Sequence, residues 1–267
     1  SVTIGLIGAI YGGGPVSYMC DILGYKMVVQ IFVGIGMALA ALTYFIVPEM
    51  APSSHRSAIA DLKEVFTNGK VIALCIFAGM MVGPLEGFAD VWGSEFLKQV
   101  YGFDTAMASY LPSMIFIGMC FGAPVLSLIA EKTGSYLGSI IGAGVIMALS
   151  FVALILGYFT VNSMIVSFLI VGICCAYQIL AIYKASTYVP EHVSGLTTAV
   201  ANMIIMSFGY AFHTVIGVVV NAYGGPDVAQ AFVYGIGVIP ITLAIGVIGF
   251  CTLLYQAQIH LRKVNVS

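Results

Sequence analysis

Two carboxylates four residues apart, Glu86 and Asp90, stand in an apolar stretch just beyond Pro84, with Trp92 close behind. At helical spacing they share one face. Two carboxylates so placed repel when both are ionised, which suits one of them to carry a proton near neutral pH. Farther along, Tyr177, Ala181, Lys184 and Tyr188 fall on one helical face with Gln178 beside them. A stripe of aromatic groups ending in a cation suits an anionic or aromatic solute. Asn202, Met206, Gly209 and His213 form a third face at the 3.6-residue period, and histidine is the side chain whose charge changes near neutral pH. Each face also has a plainer role. Asp90 and Glu95 can stand in external solvent past the end of a short span, Lys184 can reach the membrane interface, and His213 can bond a neighbouring helix.

The elements that hold these groups follow from composition. Of 267 residues, 61% are hydrophobic and 7% charged, nine basic and eleven acidic, against about 25% charged in a soluble domain. Mean hydropathy is +1.08. A water-soluble fold is excluded, and nucleic acid is excluded as a partner because the net charge is −2 and the basic residues are scattered. Eight apolar stretches approach or exceed the roughly 20 residues that cross a bilayer: Val2–Met19, Lys26–Val47, Val71–Leu97, Thr105–Ala130, Leu137–Tyr158, Ser163–Tyr188, Gly195–Val220 and Val228–Tyr255. The ten-residue alternation of barrel strands is absent, and in lipid each backbone N–H must find its partner within the segment. The expected fold is therefore all-α, a polytopic bundle of about eight transmembrane helices. Cys20, Cys75, Cys120, Cys174, Cys175 and Cys251 lie in or at the ends of these stretches without metal or redox spacing.

The longest interruption, residues 48–69, contains Ile59, Leu62, Val65 and Phe66 at helical spacing with Asp61, Lys63 and Glu64 between them. That pattern predicts a short amphipathic helix at the membrane surface. If this loop is cytoplasmic, Arg56, Lys63, Lys70, Lys132, Lys184, Arg262 and Lys263 share its side, leaving Lys26 and Lys98 opposite. The distribution places both ends of the chain in the cytoplasm.

An offset of 110 residues superimposes Gly8 on Gly118, Gly12 on Gly122, Ser17 on Ser127, Asp21 on Glu131, Gly24 on Gly134 and Gly34 on Gly144. Three spans separate the copies, so they run in opposite directions, as in the inverted repeats of secondary transporters. Gly8/Gly12 and Gly118/Gly122 are small-x-x-x-small faces for close helix packing. Pro15, Pro84, Pro112, Pro124 and Pro240 mark expected kinks, which can serve gating.

With these motifs the chain resembles the major facilitator superfamily, over the last eight of its twelve helices. Gly12-Gly13-Gly14-Pro15 followed by Asp21-x-x-Gly24-Tyr25-Lys26 is similar to the fifth helix and its turn into the sixth, and the polar loop to the central linker. Gly122 through Glu131-Lys132-Thr133-Gly134 is similar to the G-x-x-x-D-R-x-G-R-R signature, with Glu131 for Asp, Lys132 for Arg, and Ser135 and Tyr136 for the final basic pair. Pro190-Glu191 through Asn202 is similar to the entry to the eleventh helix. The resemblance implies residues 1–47 as the end of an N-terminal bundle, 48–69 as the linker and 70–267 as a six-helix bundle. It also implies further N-terminal helices in the same protein, cavity-lining roles for Val71–Leu97 and Ser163–Tyr188, and a bacterial inner membrane.

The function so implied is transport of a small organic solute by alternating access, coupled to protons, with Glu86, Asp90, Tyr177, Gln178, Lys184, Asn202 and His213 as candidate site residues. Gly8, Gly12, Pro15, Gly118, Gly122, Glu131 and Gly134 are candidates for packing or gating. The competing classes are a membrane-embedded enzyme and a non-transporting remnant or scaffold. The enzyme lacks sequence support: there is no H-E-x-x-H, and His55, His192, His213 and His260 are dispersed. No G-x-x-x-x-G-K-[ST] nucleotide loop is present, and no cofactor or metal is expected.

Overall fold

The computed structural model describes residues 16, 18–20, 22–46 and 57–264. The expected first span, with Gly8, Gly12 and Pro15, lies almost wholly outside them. Among the described residues every regular element is helical: α1 (Tyr25–Ile46), α2 (Ala58–Thr67), α3 (Gly69–Tyr101), α4 (Thr105–Thr133), α5 (Tyr136–Ile155), α6 (Val161–Ser186), α7 (Glu191–Ala222) and α8 (Ala229–Val264). All but α2 are long and apolar enough to cross a membrane. The chain divides into residues 1–58, which hold α1, and residues 59–267, which hold the other helices. At 1.5 Å per residue, the 22 residues of α1 span roughly 33 Å, a bilayer's hydrocarbon thickness.

Helices in lipid gain little from hydrophobic burial against one another, so close backbone approach and interlocking shape hold them together. In the larger unit glycines provide that approach. A Cβ on Gly118 of α4 would strike the carbonyl of Leu169, and one on Gly172 of α6 the carbonyl of Ile115, so the two backbones touch. Gly122 lies one turn on, against Ile173 and Ala176. On α8, Gly246 and Gly249 receive Met81 and Phe77 of α3. Aromatic rings fill the interior: Phe88 meets Phe151 at 5.1 Å, Phe168 at 5.4 Å and Phe96 at 6.0 Å between centroids.

Two of the spans are interrupted. In α3 the first helix ends at Gly79, a π-helical segment runs Gly83–Trp92, and α-helix resumes over Gly93–Tyr101. Pro84 has no N–H to offer the carbonyl of Met80, and the turn closes on shorter bonds, Met81 N to Ala78 O at 3.0 Å and Val82 N to Gly79 O at 3.2 Å. The buried hydroxyl of Tyr177 donates to the Ala78 carbonyl at 2.7 Å, supplying inside the protein a partner that lipid cannot. The second break, at Ala176 of α6, contains neither proline nor glycine, and so carried no sequence signal.

The loops are fixed by caps. Asp104 accepts from Met107 N at 2.7 Å at the start of α4, Ser135 caps α5, and Thr160 and Ser163 form a reciprocal box at α6. Gly24 and Gly134, paired by the 110-residue offset, both have left-handed φ, +77° and +64°, and a Cβ at either would meet no atom within 4 Å. At both positions the requirement is backbone conformation, which glycine meets without the penalty of a side chain.

Candidate functional site

The π segment of α3 points two ways. Its Phe88 enters the aromatic interior, while Glu86 and Asp90 face α7. A glycine stripe at four-residue spacing sets their distance from α7. Gly79 lies against the ring of Phe208, Gly83 against Phe212, and Gly87 against Phe212 and Ile216. These α7 residues are themselves four apart, so one ridge sits in one groove over two turns. Gly209, between Phe208 and Phe212, leaves room for the carboxylate. A Cβ there would stand 3.3 Å from Cβ, Cγ and Oε2 of Glu86.

Trp92 locks the far end of the segment. Its indole N–H donates to the carbonyl of His213 at 3.3 Å, and its ring lies over Gly217. With these anchors, one ligand atom from each of Glu86, Asp90 and His213 lies within 4.8 Å of the other two. The three side chains line a cavity of about 260 Å³ with Met206, Gly209 and Tyr210. Glu86 and His213 are part-buried and Asp90 is more open. Asp90 lies eleven residues before Tyr101 and His213 nine before Ala222, roughly 14 to 16 Å along the axis from those helix ends.

The other sequence candidates lie elsewhere. Tyr177 is fully buried with its hydroxyl committed to Ala78. Gln178 is buried, and its Nε2 has no hydrogen-bond partner among the described residues. Lys184 holds its ammonium 5.1 Å over the ring of Tyr188. Asn202 is exposed on α7, seven residues before Gly209, and does not line the cavity. Gly118 and Gly122 form the α4–α6 contact, Glu131 is exposed, and Gly134 ends α4.

Tyr210 and the Gly79–Gly83–Gly87 stripe escaped the sequence reading. The stripe was visible as two overlapping G-x-x-x-G steps. A second cluster was missed as well: Asp61 and Glu64 of α2 with His192 at the start of α7. His192 Nε2 lies 3.7 Å from Glu64 Oε2, and Asn68, just beyond α2, donates to the carbonyl of Tyr188 at 2.9 Å. The linker helix thereby rests on the α6–α7 loop, where burial raises the Tyr188 phenol above its ordinary value.

The profile of the Major Facilitator Superfamily matches residues 2–214. A search of curated proteins finds no match. With more than half of its length inside the family match, and a bundle of membrane-length helices, the chain belongs to the Major Facilitator Superfamily.

Proposed function

We propose that the protein carries a small organic solute by alternating access and couples its movement to protons at Glu86, with Asp90 and His213 as partners. The family makes it an integral, multi-pass transporter of the major facilitator type. The observation that carries the finer reading is the convergence of two carboxylates and an imidazole in one cavity between α3 and α7. Ionised carboxylates within membrane-spanning helices are costly unless water or a partner reaches them, so proton uptake and release by Glu86 bear directly on which helix arrangement is favoured. Neutralised, Glu86 tolerates the closed cavity; ionised, it favours access to water. The glycine contacts between α3 and α7 and between α4 and α6 suit helices that rock as units.

The basic residues support an orientation in which the α2–α3, α4–α5 and α6–α7 connections and both ends are cytoplasmic. On this reading residues 1–47 finish one bundle, 48–69 link, and 70–267 form the second bundle, in a bacterial inner membrane. Uptake of a panel of labelled solutes into proteoliposomes, with and without an imposed pH gradient, tests the proposal. Accumulation of at least one solute should collapse with a protonophore. Accumulation insensitive to the gradient for every transported solute would overturn proton coupling.

A further inference from the structure

The cavity between α3 and α7 contains more coordinating chemistry than proton transfer requires. Its carboxylate oxygens and imidazole nitrogen come from two helices and lie within 4.8 Å of one another. Divalent zinc takes such atoms at about 2.0–2.2 Å, so two ligands of one ion stand roughly 3 to 4 Å apart. The bound of 4.8 Å on their separations brings them within a small side-chain rotation of that spacing. The cavity, about 260 Å³, also has room for waters that complete a coordination shell, each occupying about 30 Å³.

Charge selects among cations. With neutral imidazole, ionised Glu86 and Asp90 bring −2, and the remaining lining residues, Met206, Gly209 and Tyr210, carry no positive charge. A monovalent ammonium cancels half of this and meets the lone pair of His213 only as a hydrogen-bond acceptor. A divalent first-row metal cancels both charges and takes the imidazole nitrogen as a ligand, while the Met206 thioether offers a softer donor on the same wall.

We propose that Glu86, Asp90 and His213 form a binding site for a divalent transition-metal cation of the zinc and manganese class. The inference rests on reading this cavity as the transporter's ion site, and it names the class of ion beyond the proton that the site accepts. Gly209 and Trp92 act as positioning residues, the first by leaving room for Glu86 and the second by fixing the backbone of His213.

The test is titration of the purified full chain in lipid nanodiscs with zinc chloride by calorimetry, and with manganese by loss of its free-ion paramagnetic signal. Asp61→Asn/His192→Gln serves as the background, to remove the cluster at α2. One saturable site is expected, weakened at least tenfold in each of Glu86→Gln, Asp90→Asn and His213→Gln, and retained in Lys184→Gln. Equal affinity in the three site variants overturns the proposal, as does absence of saturable binding by protein that elutes as a single species with full helical dichroism. Binding to the ion site together with gradient-insensitive accumulation of every transported solute would leave this inference standing and remove proton coupling. Proton-driven uptake by protein that binds neither metal would do the reverse.

Discussion

At the residue scale, the position of Glu86 depends on an absent side chain. Gly209 gives the carboxylate its place, and a methyl group there would press on Cβ, Cγ and Oε2 of Glu86 at 3.3 Å. Overpacking of this kind costs about 1–3 kcal/mol when neighbours must shift. Gly209→Ala is expected to lower the solute-uptake rate several-fold, and Gly209→Leu to abolish uptake while the protein still inserts, as read by uptake and membrane-fraction yield. Trp92→Phe keeps a ring over Gly217 but removes the donor to the His213 carbonyl. The expected loss is about 1 kcal/mol, the net worth of one hydrogen bond, seen as a lowered midpoint of thermal unfolding in detergent. An unchanged midpoint would mean that the indole N–H is not holding the segment.

At the element scale, helical glycines fall into two groups with opposite expected behaviour. Gly118 and Gly172 stand backbone to backbone, with Gly118 lacking room for a Cβ beside the Leu169 carbonyl, whereas Gly142 of α5 has nothing within 4 Å. Gly118→Ala should therefore destabilise the α4–α6 pair, and Gly142→Ala should be neutral or stabilising by up to about 1 kcal/mol, since alanine is the better helix former. Comparing the two unfolding midpoints checks both. At Gly134 the demand is a left-handed φ of +64° in open space. Gly134→Ala is expected to cost about 1–2 kcal/mol and Gly134→Asn less, because asparagine visits that region more readily.

These elements also mark how far the sequence can be read. The seven spans among the described residues were legible because bilayer thickness imposes their length, and α4, expected over Thr105–Ala130, runs Thr105–Thr133. The interruption of α3 was signalled by Pro84, although its π-helical form was not. The break at Ala176 had no local signal, since it lies in an otherwise unremarkable Cys-Cys-Ala-Tyr run where α4 and α3 converge on α6. Glu86 and Asp90 were legible as a pair from their spacing. Their meeting with His213, more than 120 residues away, depends on the glycine stripe of α3 engaging Phe208, Phe212 and Ile216. A one-dimensional pattern identifies the stripe but not its partner. Lys184, which its sequence position allows either as the charged end of a solute-binding face or as a cation reaching the interface, holds its ammonium over Tyr188 on the next turn.

At the scale of the whole molecule, membrane orientation sets the side from which protons reach the proposed coupling site. In a chain whose six cysteines are replaced by serine or alanine, Lys132→Cys should react with an impermeant thiol reagent only from the cytoplasmic side. Asp227→Cys should react only from the outside. Both positions are exposed, so labelling from the opposite sides would invert the topology and with it the direction from which protons reach Glu86. Proton coupling at the cavity between α3 and α7 requires that solute addition move protons. A pH-sensitive dye trapped in proteoliposomes would record proton flux on addition of a transported solute, alongside counterflow of the same labelled solute. Wild type is expected to give both signals, and Glu86→Gln to keep counterflow while losing the proton signal. Undiminished proton flux in Glu86→Gln would contradict the assignment of coupling to this site.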